Sequence, residues 1–222
     1  MRANAAQTGA RTVRLMLPER SLVRLSAQLK EGRPEVTEEN KAAVAMILRQ
    51  AAPWGTGFEL LVIRRAERAQ DPWSGHMAMP GGRAEPGDSD LLDTAVREVA
   101  EEVGWQLQEA ARYLGSLEPV PIRTRGRLLG DYVVPLVFLL EHEASWRFND
   151  AEVVEALWLP LNSVLSGEAD TVVEHTFDGV SVSAPAFRAK HHAIWGLTHH
   201  MITRLAALIR AAYSVEELER QR

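Results

Sequence analysis

Residues 81–105 read GGRAEPGDSDLLDTAVREVAEEVGW, and this stretch decides the fold. Asp88, Ser89 and Asp90 each offer a side-chain oxygen just ahead of a helix-periodic run, as an N-cap requires. Asp93 adds negative charge to the first turn, where the helix dipole favours it. The pattern predicts a helix over 89–103, closed by Gly104 in the left-handed conformation. Leu92, Val96, Val99 and Val103 recur at i, i+4, i+7 and i+11, one apolar stripe that faces a core. Glu98, Glu101 and Glu102 stand at i, i+3 and i+4. At about 100° per residue they project from one face, directed away from the valine stripe. Three carboxylates this close repel one another, and a hard divalent cation such as Mg²⁺ or Mn²⁺ offsets that repulsion. An acidic helix face alone is as a rule wetted surface; the neighbouring residues are what give this one chemistry.

Working outward, 42–49 (AAVAMILR) and 58–65 (FELLVIRR) read as two strands joined by a turn-rich loop with Pro53, Gly55 and Gly57. Ala66 to Gly75 is loop, broken at Asp71-Pro72. His76–Met79 reads as a short strand ending at Pro80-Gly81-Gly82, with Met77 and Met79 on a core face. Leu22, Leu25 and Leu29 give a short helix over 20–31. Beyond Gly104, strands are expected at 113–118, 131–141 and 154–158, then a short helix at 160–166. Strands at 171–177 and 180–186 flank Asp178-Gly179, a hairpin signal. A long helix is expected over 193–213, with Ile194, Leu197, Met201, Leu205 and Leu208 on one side. No linker splits the chain, so one α+β domain is expected over 20–213. Residues 1–19 read as a disordered leader, although the arginines and missing acids of 1–18 are also shared by transit peptides. Residues 214–222 read as a frayed tail.

Composition narrows the function. The 222 residues carry 25 Lys+Arg against 30 Asp+Glu, a net charge of −5, which argues against a general nucleic-acid binder. There is no cysteine, so thiolate nucleophiles, disulfides, Cys-ligated zinc and iron–sulfur clusters are excluded. No run of 18 apolar residues suggests a membrane span, and a cytoplasmic location is expected.

The stretch from Gly82 resembles the Nudix box, G-x5-E-x7-R-E-U-x-E-E-x-G-U, where U is bulky and apolar. Here it reads Gly82, five residues, Asp88, eight residues, then Arg97-Glu98-Val99-Ala100-Glu101-Glu102-Val103-Gly104-Trp105. The second half matches throughout; in the first, Asp replaces Glu and the spacer is one residue longer. Those two features, with Pro80-Gly81-Gly82 and Thr94-Ala95, resemble the branch of the family that hydrolyses coenzyme A. Ile194-Trp195-Gly196-Leu197-Thr198 is similar to the opening of that branch's last helix, and the helix at 20–31 and Arg64-Arg65 also fit. Where the branch carries Leu-Arg-x-His-x-Gly-Glu-Val-x-Phe, this chain reads DPWSGHMAM, with Gly75 in common.

The resemblance implies a Nudix fold, a mixed β-sheet sandwiched between helices (α/β/α). It also implies metal-dependent hydrolysis of a nucleoside diphosphate linked to X, with coenzyme A or a derivative the leading substrate. The products would be 3′-phospho-AMP and 4′-phosphopantetheine. Other pyrophosphatase substrates (ADP-ribose, NADH, nucleoside triphosphates) and a non-catalytic nucleotide-sensing role are the alternatives. Glu98, Glu101 and Glu102 are the expected ligands for Mg²⁺ or Mn²⁺, with a carbonyl of Gly81 or Gly82. Glu98 or Glu101 is the candidate base. Arg97 is expected to organise the cluster by pairing with loop acids such as Glu85 or Asp88. Arg64, Arg65 and Arg83 are candidates for the diphosphate. Arg123 and Arg125, which alternate with Arg127 between two expected strands, are candidates for a further phosphate. Trp73 could stack on a base, and the other tryptophans read as core or rim. His191-His192 and His199-His200 raise the question of a second metal, but lack His-Glu-x-x-His spacing and read as surface or packing residues. Partners are limited to a small-molecule substrate and a second copy in a homodimer, with no nucleic acid and no membrane.

Overall fold

The computed structural model describes residues 19–51, 57–68, 73–124, 127–142, 145–177 and 180–212. Its centre is β1 (Asn40–Gln50), which pairs in parallel with β7 (Arg127–Leu140). On its other edge β1 has two partners in turn. Near Leu48 it pairs with β2 (Phe58–Arg65), and near Ala43 with β4 (Gly81–Arg83). β2 continues between β3 (Met77–Ala78) and β8 (Val153–Pro160). β7 carries β5 (Ala111–Ser116) and β6 (Val120–Thr124) on its far side. The strands are apolar runs because both faces of this sheet are covered. Met46, Leu48, Leu60 and Val62 enter one core, while Ala43, Ala45, Ile47, Leu61 and Ile63 enter the other.

The second core is closed by α2 (Leu91–Val103) and α3 (Leu107–Ala110). The first is closed by α1 (Glu19–Ser26), α4 (Leu161–Ser166) and α5 (Gly196–Ala212). The result is the expected α/β/α sandwich. A separate antiparallel sheet of β9 (Asp170–Phe177), β10 (Val180–Ala189) and β11 (His192–Trp195) packs on α5, and its β11 also meets β3. The hairpin expected at Asp178-Gly179 lies outside the described residues, although the strands it would join do pair antiparallel. No helix among the described residues is long and apolar enough to cross a membrane.

Several expectations shift. The first helix ends at Ser26 rather than at 31, but Leu29 still reaches the same core. Residues 193–195 are strand, not helix, because β10 offers them a hydrogen-bonding edge, and α5 starts only at Gly196, whose φ is +64°. The apolar stripe of α2 is rotated towards Leu91 and Ala95. These two are buried with Val99 and Val103, while Leu92 and Val96 are only half-buried. Alanines at 43 and 45 on β1 belong to the same core as that face of the helix. Met77 and Met79 both enter the α5-side core, as read.

Candidate active site

Of the three candidate caps, Asp90 starts α2, accepting from the Leu92 and Asp93 N–H groups at 2.9 and 3.0 Å. Arg33 bonds to both Asp90 and Asp93 from outside. Gly104 ends the helix with φ +78°, as the sequence predicts. These ends fix which residues face β4.

The three glutamates meet different surroundings, and this corrects the reading of a face turned wholly away from the core. Glu102 is only 2% exposed. Its Oε2 accepts from the Gly81 N–H at 2.9 Å, because this side of α2 lies against β4. Burial pushes its carboxyl up to about 8, against the pull of the Gly81 N–H and with further upward pressure from Glu98. Burial also raises Glu98, with neighbouring Arg97 opposing it. Glu101 is half exposed and accepts from Arg97 Nη1 at 3.1 Å.

Arg97 is the hub. Its Nε and Nη2 each lie 3.1 Å from one oxygen of Asp88, and Nη2 also donates to the Arg83 carbonyl at 2.9 Å. Nη1 reaches Glu98 as well as Glu101, at 3.1 Å each. Asp88 accepts in addition from the Glu85 N–H and the Thr94 hydroxyl, both at 2.9 Å. Burial works against the charge on Asp88, but Arg97 and these donors hold its carboxyl below the usual range. The shorter loop acid therefore makes the fork-to-fork pairing that a bidentate guanidinium favours.

A cleft of about 190 Å³ opens beside this cluster. Arg65, Gly81, Gly82, Glu98 and Glu102 line it, all of them singled out from the sequence. Arg68 and Glu152 line it too and were missed. Arg68 donates to the Ala151 carbonyl at 2.8 Å and to Glu152 at 3.2 Å, tying the loop after β2 to the loop before β8. Glu101 stands outside the lining, on Arg97. Arg64 pairs with Glu67 at 3.2 Å and Arg83 with Asp131 at 2.8 Å, and neither lines the cleft. Arg123 lies on β6 opposite Leu128. Arg125 lies outside the described residues.

The floor leaves no room for side chains. A Cβ on Gly82 would stand 2.2 Å from Glu98 Oε1, and one on Gly81 2.2 Å from the Ala43 carbonyl oxygen. The cleft thus gathers carboxylate and carbonyl oxygens with two arginines and no imidazole among its lining residues, a donor set that suits Mg²⁺ or Mn²⁺.

The sequence profile of the NUDIX domain matches residues 39–177. The chain belongs to the Nudix family. An uncharacterized Nudix hydrolase NudL of Photorhabdus laumondii is 31% identical over 183 residues, covering 82% of this chain and 92% of that protein. A NudL of Yersinia pestis is 32% identical over 147 residues, covering 66% and 70%. An uncharacterized Schizosaccharomyces pombe protein, C14C4.10c, is 38% identical over 117 residues, or 52% of this chain, which spans only 36% of that protein's length. A solved NUDIX hydrolase from Alicyclobacillus acidocaldarius superposes with a TM-score of 0.50 at 22% identity, covering 83% of this chain and 97% of that one, and shows the shared fold. Family and fold make this Nudix protein a pyrophosphohydrolase, of a class that generally uses divalent metal ions.

Proposed function

We propose that this Nudix hydrolase cleaves the diphosphate of coenzyme A or a close derivative, releasing 3′-phospho-AMP and 4′-phosphopantetheine, with Mg²⁺ or Mn²⁺ in the cleft. One observation carries the choice of substrate. The stretch Ile194–Thr198 forms the β11–α5 junction, and β11 packs on β3, which leads directly into Pro80-Gly81-Gly82. The opening of α5, which resembles the coenzyme A branch, is therefore tied through β3 to the chain that leads into Pro80-Gly81-Gly82, the other stretch that resembles it. Trp195 stands there between the rings of His76 and His175, at 4.9 and 4.8 Å.

Glu98 and Glu102 from the cleft wall, Glu101 from its rim and a carbonyl of Gly81 or Gly82 would hold the ion. When bound, it neutralises diphosphate oxygens and acidifies water. Glu98 or Glu101 would take the proton of the attacking water, and Glu152 places a further carboxylate on the same cleft. Arg65 and Arg68 supply positive charge to the anionic substrate. Arg97 positions Glu98 and Glu101 rather than touching substrate.

The test is a Mn²⁺-supplemented hydrolysis panel with product chromatography. It compares coenzyme A with its 3′-dephospho form, ADP-ribose, NADH and nucleoside triphosphates. A preference for the 3′-phosphorylated form is expected. Indifference to that phosphate, or turnover of another diphosphate with coenzyme A left intact, overturns the assignment.

A further inference from the structure

β10 and β11 are joined by a tight turn at Lys190 and His191, in which Lys190 takes φ +53° and Ala189 pairs with His192. The turn brings both histidines against Glu155 on β8, a strand of the main sheet. His192 Nε2 lies 2.9 Å from Glu155 Oε2, and the two imidazole rings are 4.4 Å apart. One donor atom from each of Glu155, His191 and His192 lies within 4.8 Å of the other two. None of the three lines the cleft described above.

We infer that Glu155, His191 and His192 form a second metal site, for a borderline divalent ion such as Zn²⁺, that clips the three-stranded sheet to the main sheet. The donor set is chemically distinct from the cleft. Two imidazoles and one carboxylate suit Zn²⁺, whereas the oxygen-only cleft suits Mg²⁺ or Mn²⁺. The geometry needs little change. Donors about 2.0–2.2 Å from a tetrahedral ion stand roughly 3.3 Å from one another. The Glu155–His192 pair is already near that spacing, and rotation of the exposed His191 ring closes the rest. Lys190 Nζ lies 3.4 Å from the other oxygen, Oε1, and leaves Oε2 to the ion. Its side chain is 59% exposed and can withdraw.

The test uses the full chain, stripped by chelator and returned to excess Mg²⁺ to occupy the cleft carboxylates, then titrated with Zn²⁺ or Co²⁺. One tightly bound equivalent of Zn²⁺ is expected. The Co²⁺ form should show the intense visible absorption of a four-coordinate site rather than the faint absorption of a six-coordinate one. H191A and E155Q should each weaken that equivalent by at least about tenfold, the lower range for loss of even an outer-sphere partner, with Mg²⁺-dependent turnover unchanged in H191A. No bound equivalent under excess Mg²⁺, or one that survives both substitutions, overturns the site.

Discussion

A methyl group at Gly82 would stand 2.2 Å from Glu98 Oε1 and 2.5 Å from its Cδ. Ordinary contact lies near 3.5 Å, so the carboxylate must retreat by about 1 Å. The obstacle is the end of a side chain, so the backbone need not move. The stability of Gly82→Ala is expected to stay within about 0.5 kcal/mol, or ~2 °C in Tm. Turnover should nevertheless fall by up to about a hundredfold, the scale of a 1 Å misplacement of a reacting group. At Gly81 the same methyl meets backbone, the Ala43 carbonyl oxygen at 2.2 Å and Val44 Cα at 2.6 Å, at a φ of +150°. An unfavourable φ costs about 1–3 kcal/mol and overpacking about 1–3 more. Gly81→Ala should therefore lose about 2–6 kcal/mol, which is ~4 °C in Tm at the least. Scanning fluorimetry alongside Mn²⁺-dependent turnover separates the two variants. Full activity in Gly82→Ala, or an unchanged Tm in Gly81→Ala, would refute the reasoning.

Glu101→Gln should lower kcat by orders of magnitude with the Tm unchanged, since Glu101 is half exposed and its contact is the Arg97 ion pair; near-normal turnover with metal present would remove it from the site. Arg97→Ala strands Asp88, whose side chain is only 6% exposed, and should cost about 3–5 kcal/mol in thermal melts. Asp88→Asn added to that variant should restore part of the loss, and a double variant no more stable than Arg97→Ala contradicts the pairing.

What the sequence discloses follows from how local each interaction is. The ends of α2 were legible because Asp90 and Gly104 act on their own turns. The core strands were legible because two covered faces leave unbroken apolar runs. Arg97 and Asp88 were legible as partners because the box sets them on one loop and the helix it leads into. The burial of Glu102 was not, since it depends on β4 lying against α2 rather than on any spacing within the helix. Nor was β11, whose last three residues continue a helical pattern and become strand only because β10 is there. Arg68 and Glu152 meet across 84 positions of sequence, and Glu155 meets His192 across 37, so nothing local announced either pair. The scattered tryptophans gave the same difficulty. Trp105, Trp146 and Trp158 gather into one cluster, with Arg49 lying 4.1 Å over the Trp158 ring. Trp73 packs half-buried against the α5-side core. Trp54 lies outside the described residues.

The burial of Glu102 couples the charge of the cleft to its metal. Arg65 and Arg68 face Glu98, Glu102 and Glu152, so with every group ionised the lining has no positive surplus for a diphosphate. With its carboxyl raised from 4.5 to about 8, Glu102 is protonated at neutral pH in the metal-free protein. The folded chain holds that proton more tightly than the unfolded chain does. The stability it contributes is fully present below 4.5 and is lost as pH rises to about 8. The slope is at most about 1.4 kcal/mol per pH unit. His199, held below its ordinary value by burial, acts in the opposite sense, losing stability as pH falls below 6.5. The Glu102→Gln variant therefore isolates the carboxyl. In chelator, wild type should lose up to about 2 kcal/mol relative to the variant from about pH 6 to pH 8. A divalent ion favours the carboxylate, so saturating Mn²⁺ should shrink that loss of wild type relative to the variant. Thermal melts at both pH values, with chelator and with Mn²⁺, measure each quantity. A wild type whose stability relative to the variant stays flat from pH 6 to pH 8 in chelator would mean Glu102 is ionised throughout, and the link between its proton and the metal would fail.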